Sequence, residues 1–229
     1  MDSNIIRLKE GKNKIGSWGN LVQSRLEAAL KYSGNQVLDA GCSTGAYVSY
    51  LCEHGYDAYG FDLLPDEKWC GKYESRFVIG DICNIPFNNN SFDTILAFEV
   101  LEHVENIDLA LKELYRVARK NIIISVPNCS QPKIFQKSGM AFHHWVDRTH
   151  KQVFTELILR NKLHQSGFCI DVVKYINQIY PESLFLYRLY FPMRIACSIG
   201  ELVSRIPTKK KWYMTILLVA SKNKDGGIR

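Results

Sequence analysis

The sequence has no run near the roughly 18 apolar residues that a membrane span needs, so no transmembrane segment is predicted. Seven cysteines (42, 52, 70, 83, 129, 169 and 197) are scattered, odd in number and form no C-x-x-C. That pattern argues against a disulfide or zinc framework and for thiols in a reducing compartment. The stretch from Met1 to Lys14 is polar and Lys-rich, not basic and then apolar, so no secretory signal is read and a cytoplasmic location is expected. Two phosphate-binding loops are missing as well. No Lys-Ser/Thr pair follows Gly45, which excludes G-x-x-x-x-G-K-[ST], and the second and third glycines of G-x-G-x-x-G are absent. What remains is an ordinary globular composition, 46% hydrophobic and 23% charged over 229 residues, enough for one sizeable domain. The net charge of +6 is partly local, concentrated at Lys209-Lys210-Lys211. It suits an anionic substrate or an acidic surface, although solvated charge is the commoner cause.

The stretch around which the chain is organised is Gln36 to Tyr47, Q-V-L-D-A-G-C-S-T-G-A-Y. Val37 and Leu38 begin a short apolar strand that carries an acid, Asp39, near its end. A turn bracketed by Gly41 and Gly45 follows, then a segment with helical character from Ala46 to Glu53. Glycines there permit positive φ and close ligand approach, and the unpaired N–H groups of the first helical turn face the ligand. In outline this is a nucleotide-type cofactor site.

The remaining landmarks come in order. Trp18 to Tyr32 has helical spacing, broken by Gly34 and Asn35. Tyr56 to Phe61 is predicted as a second strand ending at Asp62, about 20 residues past the glycine loop, the offset at which a carboxylate reaches ribose hydroxyls. Arg76 to Ile79 is a third strand leading into Gly80-Asp81-Ile82. Phe92 to Phe98 is almost wholly apolar, as a strand buried on both faces requires, and it ends at Glu99. A helix over 107–119 and a fifth strand over 121–126 follow. Strands alternating with helices predict an α/β, doubly wound, mostly parallel sheet, in which ligands gather at the carboxyl ends of the strands. Asp39, Asp62, Asp81 and Glu99 all fall at such ends.

V-L-D-A-G-C-S-T-G, the acid at 62, G-D-I at 80–82 and F-D-T-I-L-A-F-E-V-L-E-H-V at 92–104 together resemble the successive motifs of the class I S-adenosylmethionine-dependent methyltransferases. The likeness is to the small single-domain type (methyltransferase type 11, ubiquinone-pathway-like). H-H-W-V-D-R-T-H-K-Q-V-F-T at 143–155 is similar to small enzymes of bacterial sugar, polyketide and surface-polysaccharide pathways. Ser43 departs from the family's usual glycine but leaves the backbone donors in place. The resemblance implies a Rossmann-like seven-stranded sheet, with two further strands at 169–175 and 213–221, the last antiparallel. It implies one methyltransferase domain over 1–229, with an N-terminal arm and helix at 1–32 covering the cofactor edge. It also implies S-adenosyl-L-methionine as cofactor: Asp39, Gly41, Cys42, Ser43 and Gly45 around the methionine portion, Asp62 on the ribose, Asp81 and Ile82 at the adenine, and Phe98 and Glu99 beside the methyl donor.

The donor carries its own leaving group, so the protein must align an acceptor and, where needed, remove its proton. Histidine suits that task near neutral pH. Of His103, His143, His144 and His150, the predicted bases are His144 and His150, over the expected substrate mouth. Glu99-x-x-Glu102-His103 also resembles the divalent-metal motif of methyltransferases acting on quinols and on small-RNA 3′ ends, but the same run starts a helix in relatives without metal, and no metal is predicted. The expected acceptor is a small molecule, a sugar, lipid-linked intermediate or natural product methylated on O or N. Nucleic acid is not favoured. A non-catalytic cofactor-binding regulatory module is the non-enzymatic alternative. Tyr180 to Lys211 is an apolar helical insertion with interleaved Arg and Lys, read as a cap or lid, with a homodimer surface or peripheral contact with an anionic membrane as the functional alternatives.

Overall fold

The computed structural model describes residues 21–130, 147–180, 186, 189–206 and 211–223. Its centre is a seven-stranded sheet in the order β3-β2-β1-β4-β5-β7-β6. The strands are β1 (Gln36–Ala40), β2 (Asp57–Asp62), β3 (Phe77–Ile79), β4 (Phe92–Phe98), β5 (Ala118–Pro127), β6 (Phe168–Ile179) and β7 (Trp212–Lys222). β1 to β5 pair in parallel, and β7 runs antiparallel between β5 and β6. The helices are α1 (Gln23–Tyr32), α2 (Ala46–Glu53), α3 (Ile107–Val117), α4 (Glu156–Gln165) and α5 (Met193–Ser204), with 3₁₀ turns at Gly71–Arg76 and Leu101–His103.

The predicted fold class is the one observed, and most boundaries shift by one to three residues. β6 and β7 extend beyond their expected ends at 175 and 221. α1 begins only at Gln23, after the extended Val22. The helix expected over 107–119 stops at Val117, because Ala118 turns extended and pairs with Phe92. All seven residues of β4 are buried, which is why the sequence shows a continuous apolar run there.

Two cores sandwich the sheet. One joins Leu38, Phe61, Ile95 and Ile124 to α3 and α4 through Leu111, Leu114, Leu159 and Leu163. The other joins Val37, Leu96 and Ile123 to α1 and α2 through Leu26, Val48 and Leu51. α3 shows the cause in its sequence: Ile107, Ala110, Leu111, Leu114 and Val117 recur on one face and are buried. Each such large aliphatic side chain contributes about 1.5–3 kcal/mol by leaving water. The Asn106 side chain caps this helix by accepting from the Leu109 N–H at 3.1 Å. These layers hold the carboxyl ends of β1, β2 and β4 side by side, where the acids lie.

Candidate active site

The loop after β1 is tied to the neighbouring strand before any side chain acts. The Gly41 and Cys42 N–H groups both donate to the Phe61 carbonyl, at 2.9 and 3.0 Å. Gly41, Ser43 and Gly45 all have positive φ, at 77°, 46° and 75°. At both glycines the packing forbids a side chain too. A Cβ on Gly41 would lie 2.5 Å from Val100 Cγ2, and one on Gly45 would lie 2.4 Å from the Phe77 ring. Ser43 bears the strain that a glycine would avoid, and its N–H donates to Asp62 Oδ2 at 2.8 Å. Asp62 therefore bridges loop and strand with one carboxylate oxygen. Trp69 closes the outside of the turn, donating from Nε1 to the Ser43 carbonyl at 2.7 Å and stacking on Phe77 at 5.2 Å between centroids.

Beneath the loop, Asp39 is buried, and Oδ2 has no hydrogen-bond partner. Burial, and then the charge of Asp62, push its carboxyl up to about 7. The same burial pushes the Cys42 thiol far up, so Cys42 is packing, not a nucleophile. At the end of β4, Glu99 adopts φ 53°, which aims its side chain across the mouth. It accepts from Ser125 Oγ at 3.0 Å and pairs with Arg25 Nη2 at 2.7 Å. The Arg25 guanidinium lies 5.9 Å over the Phe98 ring, and Tyr47 packs on Phe98 at 5.0 Å. Arg25 Nε is buried without a hydrogen-bond partner.

The mouth thus holds an orphaned cationic donor, Arg25 Nε, and an orphaned acidic acceptor, Asp39 Oδ2. A buried polar atom without a partner is costly, and a zwitterionic ligand would satisfy both. Gly41 and Gly45 let the turn pack directly on Val100 and Phe77. These features fit the amino-acid portion of S-adenosylmethionine.

Further along, Asp81 is exposed and accepts from the Cys83 N–H at 2.8 Å through Oδ1. Ile82, expected against the adenine, packs with Phe61 and Ile85 and keeps 9% of its surface exposed. The apolar side chain standing open beside Asp62 is Leu63.

A third group assembles beside Glu99. One donor atom each from Glu102, His103 and His150 lie within 4.8 Å of one another. The segment carrying His150 is fastened there by its backbone, Lys151 and Gln152 N–H both donating to the Glu102 carbonyl at 2.7 and 3.0 Å. Asp147 stands 3.7 Å from His150 Nε2 and accepts from Thr149 Oγ1 at 2.6 Å. Burial, then His150, hold His103 below its usual range, so it stays neutral. Glu102 is pushed well up by burial and by Glu99, and its Oε2 is buried without a partner. His144, the other predicted base, lies outside the described residues, as does His143.

Of the predicted site residues, Asp39, Gly41, Cys42, Ser43, Gly45, Asp62, Phe98 and Glu99 converge on one mouth, His150 joins Glu102 and His103 next to it, and Asp81 lies further along. Sequence reasoning finds neither Arg25 nor Trp69. Arg25 interrupts an otherwise apolar helical face only slightly, and Trp69 sits in a segment with no periodic signal.

The protein family described as "Methyltransferase domain" matches residues 38–126. The malonyl-[acyl-carrier protein] O-methyltransferase of Pectobacterium atrosepticum is 31% identical over 41% of this chain, and the chain spans only 38% of that relative's length. The demethylmenaquinone methyltransferase of Staphylococcus haemolyticus is 27% identical over 66% of this chain and 69% of its own length. Among solved structures, a SAM-dependent methyltransferase from Archaeoglobus fulgidus superposes with a TM-score of 0.64 at 19% identity, covering 87% of this chain and 92% of that one; at that identity the likeness shows the fold. The domain match spans the glycine loop, Asp62, Asp81 and Glu99, the residues whose geometry has just been described, and residues 38–126 carry a methyltransferase domain of that family.

Proposed function

We propose that the chain transfers the methyl group of S-adenosylmethionine to the oxygen or nitrogen of a small-molecule acceptor. The observation that carries this reading is the two buried atoms without a hydrogen-bond partner, Arg25 Nε and Asp39 Oδ2, on the elements that flank the positive-φ glycine turn. In the reading, Arg25 takes the cofactor's carboxylate and Asp39 serves its ammonium. Asp62, with Oδ2 on Ser43, offers its remaining lone pairs to the ribose. Asp81 accepts from the adenine amino group, with the ring between exposed Leu63 and the edge of Ile82. The cofactor supplies a methyl sulfonium that leaves as a neutral thioether. The acceptor's lone pair forms the new bond, and its proton passes to a base. Neutral His103, with His150 and Asp147 behind it, provides that base. The proposed acceptor is a sugar, lipid-linked intermediate or natural product. Relatives named for malonyl-[acyl-carrier protein] and demethylmenaquinone are in keeping with an apolar or carrier-bound one.

Calorimetric titration with S-adenosylhomocysteine, with NAD as control, tests the reading. Micromolar binding of the former alone supports it; a folded protein that binds neither sinks it.

A second reading, metal-assisted O-methylation of a quinol or RNA 3′ end, is favoured by one observation. Glu102, His103 and His150 bring an unpartnered carboxylate oxygen and two imidazoles together, a donor set suited to a divalent transition metal. Such an ion would orient the acceptor hydroxyl, while Glu99 stays engaged with Arg25. Titration with Zn²⁺ or Mn²⁺ decides it. A wild-type isotherm that vanishes in His150→Ala supports the metal, and no heat with either ion removes it.

A further inference from the structure

The helix α5 is built inside out. Its small residues face the domain: Ala196 is fully buried and Gly200 sits one turn on, also buried. Its large aliphatic residues face away. Ile195, Ile199, Leu202 and Ile206, the last just past the helix end, are 50%, 37%, 66% and 50% exposed. At 3.6 residues per turn these four share an arc of about 60°, so they form a stripe. The turn leading into the helix adds Tyr190, 97% exposed, and Phe191, 43% exposed. A cap packed on its own domain buries its large side chains and exposes its small ones. This helix does the reverse.

Charge flanks the stripe on one side. Arg194 and Arg205 are exposed and lie three helical turns apart, on the arc adjoining the aliphatic residues. Lys209, Lys210 and Lys211 follow four to six positions after Arg205 in the sequence, and Glu201 is the one acid between Met193 and Lys211. Among the described residues no helix is long and apolar enough to cross a membrane. A short helix with a narrow apolar stripe and a cationic flank belongs instead in the plane of a bilayer interface, where the aliphatic residues enter the acyl boundary and the cations meet anionic head groups.

The position of the helix matters as much as its composition. β6 runs parallel to β1, β4 and β5, since both β6 and β5 are antiparallel to β7. The chain therefore leaves β6 at the same sheet end as Asp39, Asp62 and Glu99, and α5 lies in the connection that begins there. β7, which follows α5, starts at this same end of the sheet, so the connection that carries the helix both begins and ends there.

We propose that α5 docks the protein on an anionic lipid surface, with the Ile195–Ile206 stripe inserted and Arg194 and Arg205 on the head groups. Docking in this way brings the cofactor end of the sheet to the membrane. On the methyltransferase reading, the acceptor is then a lipid-linked molecule taken from the bilayer.

The test is co-sedimentation of the full chain with vesicles of pure phosphatidylcholine and of phosphatidylcholine with about 30% phosphatidylglycerol. The wild type is expected to pellet with the anionic vesicles, to bind neutral ones at least about fivefold more weakly, and to be released by about 0.5 M salt. Ile199→Glu/Leu202→Glu and, separately, Arg194→Glu/Arg205→Glu are each expected to weaken anionic binding at least about tenfold. Their unchanged affinity for S-adenosylhomocysteine would show that the variants are folded. No pelleting with anionic vesicles overturns the proposal. So does equal binding to both vesicles, or a wild-type dimer in solution that Ile199→Glu/Leu202→Glu splits, which would assign the stripe to a second copy of the chain. Wild type that pellets but binds no S-adenosylhomocysteine would leave the docking surface standing and remove the methyltransferase reading alone.

Discussion

Replacing Asp39 with asparagine is expected to stabilise the cofactor-free protein at alkaline pH while weakening cofactor binding. Asp39 is buried, with one oxygen unpartnered and Asp62 nearby, and its carboxyl is raised from 3.8 to about 7. The folded state therefore holds a proton on Asp39 that the unfolded chain releases at lower pH. The sign follows: the stability that the protonated form contributes is complete below pH 3.8 and is lost as pH rises through about 7. At about 1.4 kcal/mol for each factor of ten in proton affinity, the loss is on the order of 4 kcal/mol, a large share of the roughly 5–15 kcal/mol that holds a domain folded. A neutral asparagine amide in the same place would carry no such penalty. Urea unfolding of wild type and Asp39→Asn, followed by tryptophan fluorescence from about pH 4 to about pH 9, reads the effect as the difference between two curves, so other titrating groups cancel. The two proteins are expected to match within about 1 kcal/mol near pH 4 and to diverge by several kcal/mol at about pH 8.5, the variant being the more stable. Saturating S-adenosylhomocysteine, whose ammonium gives the carboxylate a partner, should close that gap in favour of wild type. Parallel curves across the whole range would refute the reasoning, because they would mean that Asp39 ionises as freely in the fold as in water.

Arg25→Met is expected to weaken S-adenosylhomocysteine binding at least about tenfold and to leave 5′-methylthioadenosine, which lacks the amino-acid portion, unchanged; equal losses in titration calorimetry would place Arg25 elsewhere. Asp62→Ala is expected to weaken cofactor binding by about 1–3 kcal/mol, the scale of a lost charged hydrogen bond, and unchanged affinity would remove Asp62 from the site. Gly41→Ala must accommodate a Cβ 2.5 Å from Val100 at φ 77° and should cost at least about 1–3 kcal/mol of stability in urea unfolding, with a wild-type midpoint as the contrary result. Leu111→Ala opens a cavity in the fully buried face of α3 and should lower stability by about 2–5 kcal/mol without changing cofactor affinity in the surviving folded protein.

What the sequence showed plainly was local. A run such as Phe92 to Phe98 announces a doubly covered strand because burial on both faces removes nearly every polar position. Gly41 and Gly45 announce a tight turn because no other residue meets both the backbone angle and the contact. Acids at strand ends are legible once the strands are placed, since the parallel sheet sends all of them to one edge. Ile82, expected on the adenine ring, follows a short bridge between Asp81 and Asn84 and packs with Phe61 and Ile85, a core contact that its place after Gly80-Asp81 did not announce.

The groups that complete the site came from afar. Arg25 meets Glu99 across 74 positions, and His150 reaches Glu102 and His103 because the backbone of residues 151 and 152 is bonded to the Glu102 carbonyl. Neither encounter leaves a periodic or compositional trace, since each depends on where one element docks on another. The inverted helix α5 is the opposite case. Its aliphatic spacing was visible, and spacing alone favoured an inward-facing cap. Only the direction of Ala196 and Gly200, buried while Ile195 and Leu202 stand in solvent, separates a lid packed on its own domain from a surface made to be covered by something else. Periodicity reports that a helix has two faces, and tertiary packing decides which one the domain keeps.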